Sequence, residues 1–147
     1  MSTPLVDVQQ QASQLGAAVA ATIPAGTADN LLIGSWNLRM FGNLSRTWQA
    51  TSTDSPKRDW RAVTFIAEVI SRLDVIALQE VHRNTTALTF LLEQLGQHWH
   101  VIASDAAEGD AGKNDERLAF VYNSRRVQPS GLVGEIVLPP IADTPVR

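Results

Sequence analysis

The rhythm of apolar and polar positions changes several times along the chain, and each change predicts an element. From residue 4 to 22, Leu5, Val8, Ala12, Leu15 and Val19 recur at spacings of three and four. That spacing predicts a helix with one narrow apolar stripe. Thr3 can cap it, Pro4 suits its first turn and Pro24 ends it. After the turn-rich PAGTADN, the run LLIGSWNL predicts a strand over residues 31–38. A loop rich in Gly, Asn, Ser and Thr follows, from Met40 to Ser55. Ser55 and Pro56 then read as cap and first turn of a second helix reaching Leu73, with Val63, Ile66, Ala67 and Ile70 as its buried stripe.

The compact apolar run DVIALQ, residues 74–79, predicts a second strand ending at Glu80. Asn84 can cap a third helix, which carries Leu88, Leu91, Leu92 and Leu95 on one face and stops at Gly96. WHVIAS and RLAFVYN predict two more strands, joined by a polar loop from Asp105 to Asp115. GLVGEIVL is a further candidate strand before the Pro-rich stretch PPIADTPVR. A strand–helix–strand opening implies a crossover unit in an α/β sheet. Its strands are apolar on both faces: Val75 and Ala77 alternate with Ile76 and Leu78, and Leu118 and Phe120 with Ala119 and Val121. Such strands need cover on both sides. The two central helices are expected on one side, with the first helix over part of the other.

Composition narrows the class. At 147 residues, 44% hydrophobic and 18% charged, the chain belongs with ordinary globular domains. No apolar run approaches the roughly 18 residues that span a bilayer, and no basic segment precedes an apolar stretch at the start. A cytoplasmic location without a membrane partner is therefore the expectation. The absence of cysteine excludes disulfides, zinc–thiolate sites and cysteine nucleophiles. A net charge of -3 gives no global basic field. Locally, Arg39, Arg46, Lys57, Arg58 and Arg61 read either as a basic rim for phosphates or as a solvated loop and helix face.

Two strand ends carry candidate chemistry. Asn37 sits near the end of the first strand with Arg39 just beyond, and Glu80 closes the second, followed by His82. An amide and a carboxylate at the same end of neighbouring strands can share one hard cation. Magnesium accepts one or two carboxylates and completes its shell with water and substrate phosphate. Taken singly, Asn37 reads better as a loop hydrogen-bonder and Glu80 as an ordinary solvent-facing strand end.

Three blocks in order, IGSWNLRMFG, DVIALQEV and ERLAFVYN, resemble the endonuclease/exonuclease/phosphatase superfamily, with the deoxyribonuclease-like branch the nearest in pattern. The resemblance covers roughly residues 31–137. It implies a short N-terminal helical extension, residues 1–28, before a partial superfamily domain, residues 29–147. The fold implied is the N-terminal half of a four-layered α/β sandwich, a mixed sheet with helices on one face and the second sheet absent from this chain. It further implies that Glu80 is the principal metal carboxylate and that Asn37 orients it or helps bind the metal. By the same resemblance Glu116 is the acid that orients a catalytic histidine, an ion pair with Arg117 being its structural alternative. Arg39 and His82 are implied as phosphate contacts. The implied cofactor is Mg2+, with Mn2+ or Ca2+ as substitutes.

The family's Gly-Asp-x-Asn and late Asp-His segments have no counterpart here: Gly109-Asp110 runs on into Ala111, and Ser104-Asp105 into Ala106. The histidines are His82, His98 and His100. The expected activity is thus metal-dependent phosphodiester hydrolysis, with DNA as substrate, by a chain that is catalytically incomplete alone. The alternatives are a phosphatase or sphingomyelinase-like phosphoesterase, and a non-catalytic binding module or partial gene product. An uncovered sheet would leave about four large apolar residues exposed, forfeiting roughly 6 to 12 kcal/mol. A whole domain's stability is about 5 to 15 kcal/mol, so self-association, or a partner supplying the missing sheet, is expected.

Overall fold

A computed structural model describes residues 5–55, 57–104, 116–131 and 134. Its elements, in chain order, are α1 (Val6–Thr22), β1 (Ile33–Phe41), α2 (Trp60–Ile70), β2 (Val75–His82), α3 (Thr86–Leu95), β3 (Trp99–Ala103) and β4 (Glu116–Asn123). The four strands form one mixed sheet in the order β1-β2-β4-β3. β1 and β2 run parallel through the α2 crossover, and β4 is antiparallel to both β2 and β3. The polar loop expected over 105–115 lies outside the described residues, as does most of the candidate strand GLVGEIVL.

Alternation along the strands decides where the core sits. Ile76 and Leu78 of β2, and Ala119 and Val121 of β4, point to the helical side and are almost fully buried. There they join Val63, Ile66, Ala67 and Ile70 of α2, and Leu88, Phe90 and Leu91 of α3. The buried stripe of α2 is the one its periodicity predicts. On α3 burial centres on Ala87, Leu88, Phe90 and Leu91, while Leu92 and Leu95 are only partly covered. Gly96, at φ +91°, ends that helix with a backbone conformation that costs a side-chain-bearing residue energy.

Several expectations are corrected. α1 does not cover the open side of the sheet. It lies on α2, where Arg61 donates to Gln11 and Arg72 Nη2 donates to the Gly16 carbonyl at 3.4 Å. Its own apolar stripe is too narrow for more: Val8 and Ala12 are buried, but Val6 is 80% exposed. The opposite sheet face stays open among the described residues, with Ile33 68% exposed and Leu118 and Phe120 each 42%.

α2 begins at Trp60, not beside Ser55, because Asp59 caps it. One Asp59 oxygen accepts from Ala62 N at 2.7 Å and the other from Ala50 N at 2.8 Å. The segment before it is held as a loop by its own apolar anchor. Trp48 is buried and packs edge-on against Trp60, the ring centroids 5.3 Å apart. α3 takes Thr85 as its cap residue, although Asn84 Oδ1 still accepts from Thr86 N at 3.0 Å. β1 and β2 both run past their expected ends, to Phe41 and His82, because each carries a bulge that the apolar pattern does not show.

Candidate functional site at the ends of β1 and β2

The two bulges meet. β1 and β2 pair regularly down to Asn37 opposite Gln79, and the next pair is Phe41 opposite Val81. Leu38, Arg39 and Met40 thus stand against Glu80 alone. Three non-glycine residues here adopt left-handed backbone: Arg39 (φ 44°), Met40 (φ 52°) and Glu80 (φ 57°), and no other described non-glycine residue has positive φ. Each such conformation costs of order 1 to 3 kcal/mol and persists only where its surroundings over-determine it.

The surroundings are a small polar knot. Asn37 Nδ2 donates to Glu80 Oε1 at 2.6 Å, and Met40 N donates to Glu80 Oε2 at 3.1 Å. Arg39 N donates to Asn37 Oδ1 at 2.8 Å. That last bond orients the amide, because an N–H needs the oxygen, which turns Nδ2 toward the carboxylate. The Glu80 carboxyl is held below its ordinary pKa, first by the Asn37 hydrogen bond and then by the Met40 amide. Desolvation opposes this, and the charges of Arg39 and His82 add smaller contributions to the lowering. The carboxylate therefore stays ionised to a lower pH than a free glutamate.

Arg58, from the loop before α2, reaches back to the same turn. Its Nη2 donates to the Leu38 carbonyl and, at 2.8 Å, to the Arg39 carbonyl. The guanidinium lies over the Phe41 ring, 5.3 Å from the centroid, and burial lowers its pKa from the usual arginine value. Sequence reasoning placed Arg58 only in a basic rim. Nothing in local spacing marks a residue twenty positions away as the holder of Leu38 and Arg39. Arg61 is likewise turned to internal contacts, with Gln11 and over the Phe65 ring. The five basic residues therefore do not act as one free rim.

The remaining site residues fall at the same end of the sheet. His82 pairs in register with Glu116 across β2 and β4. The His82 ring is packed in, its Nε2 buried without a hydrogen-bond partner. Gly42 lies so close that a Cβ there would stand 2.7 Å from the His82 Cβ, so only glycine fits. Glu116 is exposed at the start of β4, and no hydrogen bond or ion pair to Arg117 ties it among the described residues. His98 and His100 lie away from the knot: His98 Nε2 meets Arg125 Nη2 at 2.6 Å, and His100 packs on Tyr122.

The donor set suits a hard divalent cation in one limited way. Each Glu80 oxygen accepts a single N–H, and a carboxylate oxygen has two lone pairs, so one remains on each. No group of three or more His, Cys, Asp or Glu side chains able to hold a metal occurs among the described residues. Only a cation content with one carboxylate, water and substrate oxygens fits, which is magnesium's habit. No helix among the described residues is long and apolar enough to cross a membrane. No protein-family model matches the chain, and no curated protein matches its sequence.

Proposed function

We propose that this chain carries the metal-binding edge of a phosphodiester hydrolase of the nuclease type, with DNA as its substrate class. The observation that carries the reading is the strained amide–carboxylate knot. Three left-handed residues and two bulges converge to aim one ionised carboxylate, Glu80, out of one end of the sheet. Strain of this kind gathers at functional sites, where a fixed geometry matters more than its cost. The family resemblance of IGSWNLRMFG, DVIALQEV and ERLAFVYN supports the same chemistry, and implies that a second sheet, not supplied by the described residues, covers the open face.

In this reading Glu80 holds Mg2+ and Asn37 holds Glu80. The bound cation supplies stabilisation of the charge that develops on the phosphoryl oxygens. Arg39 lies beside the carboxylate, where its guanidinium can take a non-bridging phosphate oxygen by a charge-assisted hydrogen bond. His82 can meet phosphate through Nε2 only if its ring turns, since that atom is buried. Glu116 orients an acid–base histidine that His98 and His100 do not supply, so the chain alone binds better than it cleaves. Loss of a general acid–base group costs about 10² to 10⁴ in rate.

The test uses purified, folded protein. Manganese takes the same oxygen ligands and is followed by electron paramagnetic resonance. It is expected to bind the wild type and to lose at least about tenfold in affinity in Glu80→Ala. Nicking of supercoiled plasmid in magnesium then separates a site that completes the reaction from one that stops at binding. A folded wild type that binds no divalent cation overturns the proposal.

A further inference from the structure

We infer that Arg58 is a positioning residue for the candidate site: by holding the Leu38 and Arg39 carbonyls it keeps the Met40 amide aimed at Glu80, and so sets how tightly that carboxylate binds a cation. The inference rests on the metal-site reading above, but its spectroscopic arm does not.

Arg39 and Met40 are consecutive residues in a backbone conformation that neither favours, and neither is glycine. Two of the contacts that hold them belong to the site itself, namely Asn37 Oδ1 on Arg39 N and Glu80 Oε2 on Met40 N. Those two cannot by themselves define Glu80's position, because Glu80 is also one of the groups being positioned. Arg58 supplies an anchor from outside the strand pair, through the carbonyls immediately before and within the left-handed stretch.

Arg58 is itself well held. Its carbonyl accepts from Ser45 N at 2.7 Å, the next residue, Asp59, caps α2, and its guanidinium lies over Phe41. Its Nε is buried without a partner, a placement that loses one hydrogen bond while the other end of the guanidinium takes two carbonyls. An ordinary loop-closing arginine would serve any carbonyls within reach. These belong to the two residues that lead into the Met40 amide.

Removing the guanidinium therefore releases the turn, and Met40 N drifts from Glu80 Oε2. Lysine at this position keeps the charge and can donate from its ammonium, but it lacks the planar guanidinium that lies over Phe41, so it recovers part of the effect. Groups that orient a metal ligand from behind typically change metal affinity by roughly 10- to 100-fold when lost.

The experiment compares wild type, Arg58→Met, Arg58→Lys and, as a control for general destabilisation, Ile70→Val, which thins the core under the sheet. Two quantities are read: Mn2+ affinity, and the nuclear magnetic resonance signals of the Met40 amide and the Asn37 side-chain NH2 group. In Arg58→Met both sets of signals are expected to move upfield toward unbonded values, with Mn2+ affinity down at least about tenfold. Arg58→Lys should fall between, and Ile70→Val should match wild type in both readouts. The inference is overturned if folded Arg58→Met keeps wild-type signals, or if Ile70→Val loses as much. It is overturned too if both Arg58 variants fail to fold, since the residue then holds the domain rather than the turn. A wild type that binds no Mn2+ removes the metal reading, while the amide signals still judge the role of Arg58.

Discussion

At the scale of single residues, the unusual feature is where strain collects. Met40 holds a left-handed conformation while its side chain is 48% exposed, so the side chain adds little packing in return. Its backbone N–H does the bonding, to Glu80. Met40→Gly keeps that N–H and removes the steric penalty, offset in part by glycine's greater unfolded-state freedom. The variant is expected to gain about 0.5 to 1 kcal/mol in urea unfolding. A measured loss of stability would show that the turn is not strained at Met40. Glu80 illustrates the limit of reading residues singly. In the sequence it is a glutamate at a strand end, and only the arrival of Asn37 and the Met40 amide makes it a held carboxylate.

At the scale of elements, the β1–α2 connection links the site to the core. Asp59 is buried and uses both carboxylate oxygens, one to start α2 at Ala62 and one to pin Ala50 in the loop. Asp59→Ala removes a cap and a loop tie together. It is expected to cost about 1 to 2 kcal/mol, with amide exchange accelerating at Ala50 and Ala62 but not at Leu78 or Val121. Equal acceleration in the central strands would mean that the loop and the sheet open as one unit. The stripe of α2 was legible from periodicity, as Val63, Ile66, Ala67 and Ile70 show, whereas α3 also buries Ala87 and Phe90, which lie outside its expected face. The start of α2 was not. Ser55-Pro56 carries a good cap signal, but Asp59 combines the same chemistry with a buried Trp48–Trp60 contact that no local rule anticipates.

At the scale of the whole molecule, one charge pair ties distant pieces. Asp74, at the entry to β2, accepts from Leu32 N at 2.9 Å and from Arg126 Nε at 3.0 Å. Arg126 also donates to the Thr27 and Asn30 carbonyls, at 2.6 and 2.7 Å, so it joins the segment before β1 to the turn after β4. Burial works to raise the Asp74 pKa, but the hydrogen bonds from Arg126 and Leu32, with the Arg126 charge, outweigh it and leave the carboxyl below its ordinary value. A depressed folded-state pKa stabilises fully above the unfolded value, about 4, and that contribution fades as pH falls through the folded value. Arg126→Ala is therefore expected to cost about 1 to 3 kcal/mol at neutral pH, the lower end allowing for the partial exposure of Arg126. The deficit should shrink below about pH 4, where Asp74 is protonated. A deficit that does not change with pH would assign the loss to packing instead. The two sheet faces offer a second test. Leu78→Ala on the buried face should cost about 2 to 5 kcal/mol, whereas Phe120→Ser on the open face should cost about 1 kcal/mol or less in dilute protein. A Phe120→Ser cost as large as that of Leu78→Ala would mean that the open face is covered in solution.

The sequence by itself determined the order of elements, the parallel crossover pairing of β1 and β2, and which stripe of α2 faces the sheet. These follow from the 3.6-residue period of the helices, the compact apolar runs of the strands and the order in which they alternate, all of which the segments carry within themselves. It also marked Asn37 and Glu80 as a pair worth testing, because both fall at the same end of neighbouring strands. Tertiary structure alone decided that Glu80 is left-handed, that the Met40 amide and not a second carboxylate completes its shell, and that Arg58 holds the turn. It alone placed α1 on α2 instead of on the open face. The physical reason is common to all four: each depends on contacts between residues 19 or more positions apart, whose energies appear only once the chain has brought them within hydrogen-bonding or packing distance.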